Sequence, residues 1–175
     1  KTDANSPNNT RTYIYDTQDR LTEVQDQDNV VIARYVYDVR GRRVSKETNN
    51  NRTYFLYSDE GLIAESDATG SIIKTYGYVP NGAFMTNPLF LKTINNYYFY
   101  QNDNLGTPQK LIEKNGTVAW NASYSVFGEA NVDQSSTIAN NLRFPGQYHD
   151  AETGLHYNWN RFYDPSTGRY VTADP

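Results

Sequence analysis

An all-β fold, a long and curved antiparallel sheet laid down hairpin by hairpin, is predicted by three observations. The chain carries 16 Tyr, 7 Phe and 2 Trp against a single Met, and a tyrosine ring with its polar tip suits a half-buried sheet position better than a dry helical core. Ring-X-ring triplets recur with the second ring at 15, 37, 57, 78 and 100, intervals of 22, 20, 21 and 22. A less regular echo follows at Tyr124, and such spacing marks a repeat architecture. No window of helical length shows an apolar stripe of period 3.6 with caps at its ends.

Residues 1–12 open the chain as a polar lead-in with Pro7 and several Asn. Hairpins then fill 13–132. In Tyr35-Val-Tyr-Asp-Val-Arg-Gly41-Arg-Arg-Val44-Ser-Lys46 the flanks alternate at period two. Asp38 is placed to bond forward onto the backbone and Gly41 to take positive φ. Asp59-Glu-Gly61 repeats the pattern, and Asp19 stands where glycine is expected, in a residue type that tolerates the left-handed region. Asp26–Asn29, Thr48–Asn51 and Asp67–Gly70 supply the return turns. Asn81–Pro88 reads as a loop before a strand at Tyr97–Tyr100, and Asn115-Gly116 as a two-residue hairpin turn. The Ser- and Asn-rich segment 133–141 is expected to be a flexible loop before a C-terminal block, 142–175.

Bulk properties narrow the function. A net charge of −4 and a pI near 5.1 give no concentrated positive field, so nucleic acid is not an expected partner. A mean hydropathy of −0.80 with no long apolar run predicts no membrane-spanning helix. The absence of cysteine excludes disulfides, thiolate metal sites and a cysteine nucleophile. No phosphate-binding glycine loop and no Gly-X-Ser-X-Gly elbow is present, and no cofactor is expected. The chain begins at Lys1 without Met and reads as a fragment.

The motifs Tyr37-Asp38-Val-Arg-Gly41-Arg42, Asp103-Asn-Leu-Gly106-Thr-Pro108, Tyr124-Ser-Val-Phe-Gly128, Arg143-Phe-Pro-Gly-Gln-Tyr148, Glu152-Thr-Gly-Leu-His-Tyr157, Tyr163-Asp-Pro165, Gly168-Arg-Tyr170 and Asp174-Pro175 together resemble the Rhs or YD-repeat proteins. The block 142–175 is similar to their Rhs-associated core domain. The resemblance covers nearly the whole chain from Tyr13. It implies a sheet of hairpins spiralling into a hollow shell that encloses a C-terminal toxin in a secreted or cell-surface bacterial protein. The core domain would close one end and free the toxin by aspartyl-type self-cleavage. The implied partners are the chain's own toxin domain, the rest of the shell, and secretion or toxin-complex components. The bond to be cut is expected beyond Pro175. The alternative, from the resemblance to teneurins, is a non-catalytic carbohydrate- or protein-binding module. Open sheet edges would favour self-association in either case.

An aspartic protease needs two carboxylates close enough to share a proton. The resemblance assigns these to Asp150 and Asp174, with Arg161 holding one of them, and leaves Asp164 as the alternative to Asp150. Local readings stand beside these: Asp164-Pro-Ser-Thr-Gly168 is also an ordinary turn, Asp174 a turn former, and Arg161 a structural partner of Asp164 or Glu152. His149 and His156, seven apart, are expected on opposite strand faces, and no metal site is expected from them. Trp120, Trp159 and the Tyr ladder read as core and cross-strand pairs in preference to a sugar-stacking surface.

Overall fold

The computed structural model describes residues 11–172. Twelve strands form one antiparallel meander in strict chain order. They are β1 (Thr12–Tyr15), β2 (Leu21–Gln25), β3 (Val31–Tyr37), β4 (Arg43–Thr48), β5 (Asn51–Tyr57), β6 (Leu62–Ser66), β7 (Ile72–Tyr78), β8 (Pro88–Thr93), β9 (Tyr97–Asn102), β10 (Pro108–Glu113), β11 (Val118–Tyr124) and β12 (Ala130–Val132). A second, four-stranded antiparallel sheet follows: β13 (Tyr148–Asp150), β14 (Leu155–Asn158), β15 (Arg161–Asp164) and β16 (Arg169–Tyr170). The fold is all-β, as expected from the sequence.

The hairpin turns follow one recipe. In the first, the Asp16 carboxylate accepts from the Gln18 and Arg20 amides at 2.9 and 3.0 Å and from Arg20 Nε at 2.8 Å. Asp38 repeats this on Arg40, Arg42 and Arg42 Nε at 2.8, 2.9 and 2.9 Å. The left-handed position is taken by Asp19 at φ 57° in one turn and Gly41 at φ 79° in the next. This is a type I turn closed by a left-handed residue, and it leaves a bulge. Register shifts recur at Ile14/Tyr15, Val36/Tyr37, Leu56/Tyr57 and Gly77/Tyr78, the second ring position of four successive repeats. A bulge bends its strand and raises local twist, and repeating it bends the whole sheet. Residues of β1 and β12 line one cleft, yet the two strands do not pair, so the sheet curls without closing.

Both rings of each triplet belong to the buried core or pack against it, and the residue between them turns away. Tyr35, Phe55, Tyr76 and Tyr98 are buried, while Val36, Leu56 and Phe99 are exposed. The core lies between the two sheets, with Tyr35 against Phe162 at 5.0 Å between ring centroids and Phe55 edge-on to Tyr148 at 5.4 Å. Trp120 is fully buried in this core, and Trp159 packs edge-on to Phe84 at 4.5 Å. The expected preference of the rings for the core over a sugar-stacking surface is met for Trp120.

Two expectations are corrected. The sequence placed a loop at 81–88 and the next strand at Tyr97, but β8 intervenes. Pro88 opens β8, where a strand tolerates proline, and Leu91 points into the core. His149 and His156 are not on opposite faces: they are directly opposed partners in the β13–β14 hairpin, their rings edge-to-face at 5.4 Å. The face-parity argument holds along one strand, and here the chain reverses at Thr153-Gly154 between them. Segment 133–141 carries no strand and runs beside β11. Asp133 N donates to Asn121 O at 2.9 Å and Thr137 N to Ala119 O at 2.8 Å.

Candidate functional site

Asp150, at the end of β13, is fully buried. Its Oδ2 accepts from Arg43 Nη1, and its Oδ1 from Lys46 Nζ at 2.8 Å. Both cations come from β4. Burial alone would raise the Asp150 pKa, but Arg43 and Lys46 together hold it below the usual carboxylate value. Lys46 also reaches Glu152 at 3.1 Å. Glu152 moves the other way, raised first by burial and then by the neighbouring charge of Asp150. Two carboxyl groups with opposed shifts therefore share one ammonium.

Arg43 is enclosed by rings. Its guanidinium carbon lies 4.4 Å from the Tyr157 ring centroid, 4.7 Å from Phe55, 5.1 Å from Tyr35, 5.4 Å from Tyr148 and 5.8 Å from Phe162. Three of these rings belong to the C-terminal block and two to the large sheet. A buried guanidinium against aromatic faces is stabilised by the ring quadrupoles as well as by its counter-ion. The Arg43 amide donates to Tyr157 Oη at 2.8 Å, and Tyr57 Oη donates to the Arg43 carbonyl at 3.0 Å. These directional bonds hold the block in one register on the sheet.

A second joint lies one repeat on. Glu65, buried on β6, accepts from Tyr76 Oη at 2.5 Å and from Tyr148 Oη at 3.1 Å, tying β7 and β13 to one carboxylate.

Of the residues expected at a self-cleavage site, Asp174 lies outside the described residues. Asp164 accepts from the Ser166 amide at 2.9 Å, Ser166 Oγ at 2.7 Å and Thr167 Oγ1 at 2.9 Å, the bonding of a turn former. The Arg161 guanidinium stacks on the Tyr170 ring, its carbon 3.7 Å from the centroid. The cations bonded to Asp150 are Arg43 and Lys46, neither of which was singled out from the sequence. A signal for Arg43 was present. Five residues after the turn aspartates Asp16 and Asp103 stand Leu21 and Pro108, both buried; five after Asp38 stands Arg43. A charge in an apolar slot of a repeat requires a buried partner. Among the described residues, no cluster of His, Asp or Glu is arranged to hold a metal ion, and no helix is long and apolar enough to cross a membrane.

A family profile described as the teneurin YD-shell matches residues 4–175. The chain is 32% identical over 199 residues to double-stranded DNA deaminase toxin A of Burkholderia cenocepacia, covering 96% of this chain and 14% of that protein. It is 33% identical over 169 residues to the probable deoxyribonuclease RhsA of Dickeya dadantii, covering 93% and 12%. The chain thus spans less than a sixth of the length of these two curated relatives. Among solved structures, the Photorhabdus luminescens Tc holotoxin pore matches with TM-score 0.68 at 18% identity, over 94% of this chain and 9% of that one. The TcdB2–TccC3 complex matches with TM-score 0.68 at 19% identity, over 97% and 9%. These likenesses show a shared fold over nearly the whole of this chain. On the profile match and the toxin relatives, the chain belongs to the teneurin YD-shell family and is an Rhs-type YD-repeat protein.

Proposed function

We propose that this chain is a wall segment, with its closing block, of a hollow shell that encloses a toxin and delivers it from a secreted or cell-surface bacterial protein. The observation that carries the reading is the open meander. It adds one strand at a time in chain order, bends at each repeat, and bears the C-terminal block on one face only. That is what a unit of a larger curved wall requires. The relatives, a deaminase toxin and a probable deoxyribonuclease, support a toxic C-terminal cargo.

Within this reading the block performs aspartyl-type self-cleavage, with Asp150 and Asp174 as the carboxylate pair and Arg161 as the positioning cation. Asp150, held ionised by Arg43 and Lys46, suits the charged member and leaves the protonated role to Asp174. Glu152, with its raised pKa, is a second candidate for the protonated role, and Asp164 remains the alternative to Asp150. Intact mass of the full-length protein tests this. The wild type is expected as two chains cut shortly beyond Pro175, and Asp150→Asn, Asp174→Asn and Arg161→Ala as single uncut chains, while Asp164→Asn still cuts. A Glu152→Gln variant that cuts normally assigns the protonated role to Asp174. An uncut wild type, or cutting that survives Asp174→Asn and Glu152→Gln together, removes the aspartyl protease and leaves a scaffold. A non-catalytic binding module is then the second reading, favoured by the exposed rings Tyr54, Tyr97 and Phe99 on the face away from the block.

A further inference from the structure

A cleft of about 430 Å³ opens between the C-terminal block and the two end strands of the large sheet, β1 and β12. Its volume lies within the roughly 300–1,000 Å³ typical of ligand sites. Arg11, Arg143 and His149 line it, and each carries a buried side-chain nitrogen without a hydrogen-bond partner: Arg11 Nε, Arg143 Nε and His149 Nδ1. Arg143 is only 5% exposed. Its Nη1 donates to the carbonyls of Asn140 and Leu142 at 2.8 and 2.9 Å, and its Nε edge remains. None of the ion pairs among the described residues involves it. Arg43 is equally buried but has Asp150. A guanidinium taken out of water without a counter-ion costs several kcal/mol, and burial pulls the Arg143 pKa below its ordinary value.

We propose that this cleft is a binding site for an acidic peptide segment in extended conformation, whose carboxylate takes the Nε edge of Arg143 beside His149. The planar fork of a guanidinium matches the two oxygens of a carboxylate. Glu129 and Asp164 also line the cleft, which favours a single negative charge over a dianion. Each of β1 and β12 pairs on one side only among the described strands. An extended chain entering the cleft runs beside these two end strands, in the mode by which peptides add to a sheet edge. No group of the chain as described meets that edge, and the occupant is a separate acidic peptide.

The Nε–H resonances of ¹⁵N-arginine-labelled full chain test the proposal, with Arg143 assigned from the Arg143→Lys spectrum. The probe is the capped peptide acetyl-Val-Thr-Asp-Thr-Val-amide, with its Asp-to-Asn counterpart as control. A downfield, slowly exchanging Arg143 Nε–H in the chain alone means that the same polypeptide already fills the edge, and overturns the proposal. A downfield shift appearing only on titration with the Asp peptide, with the Asn peptide about tenfold weaker or more, is the result expected. An unpaired resonance in the chain alone that neither peptide moves, or equal shifts with both peptides, overturns the proposal.

Discussion

Arg43 stands in a slot that other repeats fill with Leu21 and Pro108, and it is tolerated only because Asp150 and five rings meet it there. Removing one partner leaves the other charged and buried. Asp150→Ala is therefore expected to lower stability by about 3–5 kcal/mol, read as a fall in the urea midpoint. Arg43→Leu in the same chain is expected to recover part of that loss, because an apolar residue suits the slot. A double variant no more stable than Asp150→Ala would contradict this. The histidine pair sets the pH dependence. Burial, then Arg143, lowers His149 to about 4; burial, then His149, lowers His156 to about 3. The unfolded chain titrates near 6.5, so between about pH 6.5 and 4 it binds more protons than the fold and stability falls as pH falls. Asp150 adds a further loss as pH drops through its lowered value, while Glu152, shifted upward, opposes it slightly. Unfolding free energies from urea titrations at pH 7.5 and 5.0 should differ by at most about 2 kcal/mol per histidine, and a chain carrying His149→Gln and His156→Gln should show a flatter profile.

Three hairpins are tied to the one before them through the second tyrosine of the repeat. Tyr37 Oη donates to Leu21 O at 2.6 Å, Tyr57 Oη to Arg43 O at 3.0 Å, and Tyr124 Oη to Pro108 O at 2.7 Å. The acceptor is in every case the first residue of the strand beyond the preceding turn. The turn arginine lies over the same ring, Arg20 at 5.2 Å from the Tyr37 centroid and Arg42 at 5.4 Å from Tyr57. Tyr37→Phe and Tyr57→Phe should each cost about 1 kcal/mol. Asp38→Ala, which removes three bonds to one carboxylate, should cost more. Equal, negligible losses in all three would contradict the coupling. This level of structure was legible in the sequence because it is local: the turn aspartate, the left-handed residue and the ring-X-ring alternation lie within eight residues. Even the departure from glycine at Asp19 was readable. β8 was not, because Pro88 and its neighbours read as loop while the burial of Leu91 depends on the rest of the sheet. The Arg43–Asp150 joint spans 107 residues and depends on a bulge that shifts which β4 side chains face the block, so no spacing rule reaches it. The cross-strand pairing of His149 with His156 was missed for the related reason that a turn between them cancels the parity rule.

At the scale of the molecule, two different faces follow from one repeat. The face toward the block is aromatic and carries the buried ionic joints. The other carries Glu23, Arg34, Glu47 and Arg52 opposed strand to strand in alternating sign, beside exposed Tyr54, Leu56, Phe99 and Val118. A sheet bent at every repeat and unpaired at both ends among the described strands invites strand addition. Sedimentation of the chain should show association that rises with concentration and is weakened by Val132→Lys on β12; a clean monomer at all concentrations would count against it. The same geometry underlies the functional reading, in which further repeats continue the wall until it encloses a cargo. Limited proteolysis of the native full-length protein, following the region beyond residue 175, tests that enclosure most directly. If the shell encloses it, this region resists added protease until denaturant opens the wall, and is then digested at the rate of the isolated domain. Digestion at that rate in the native protein would contradict it.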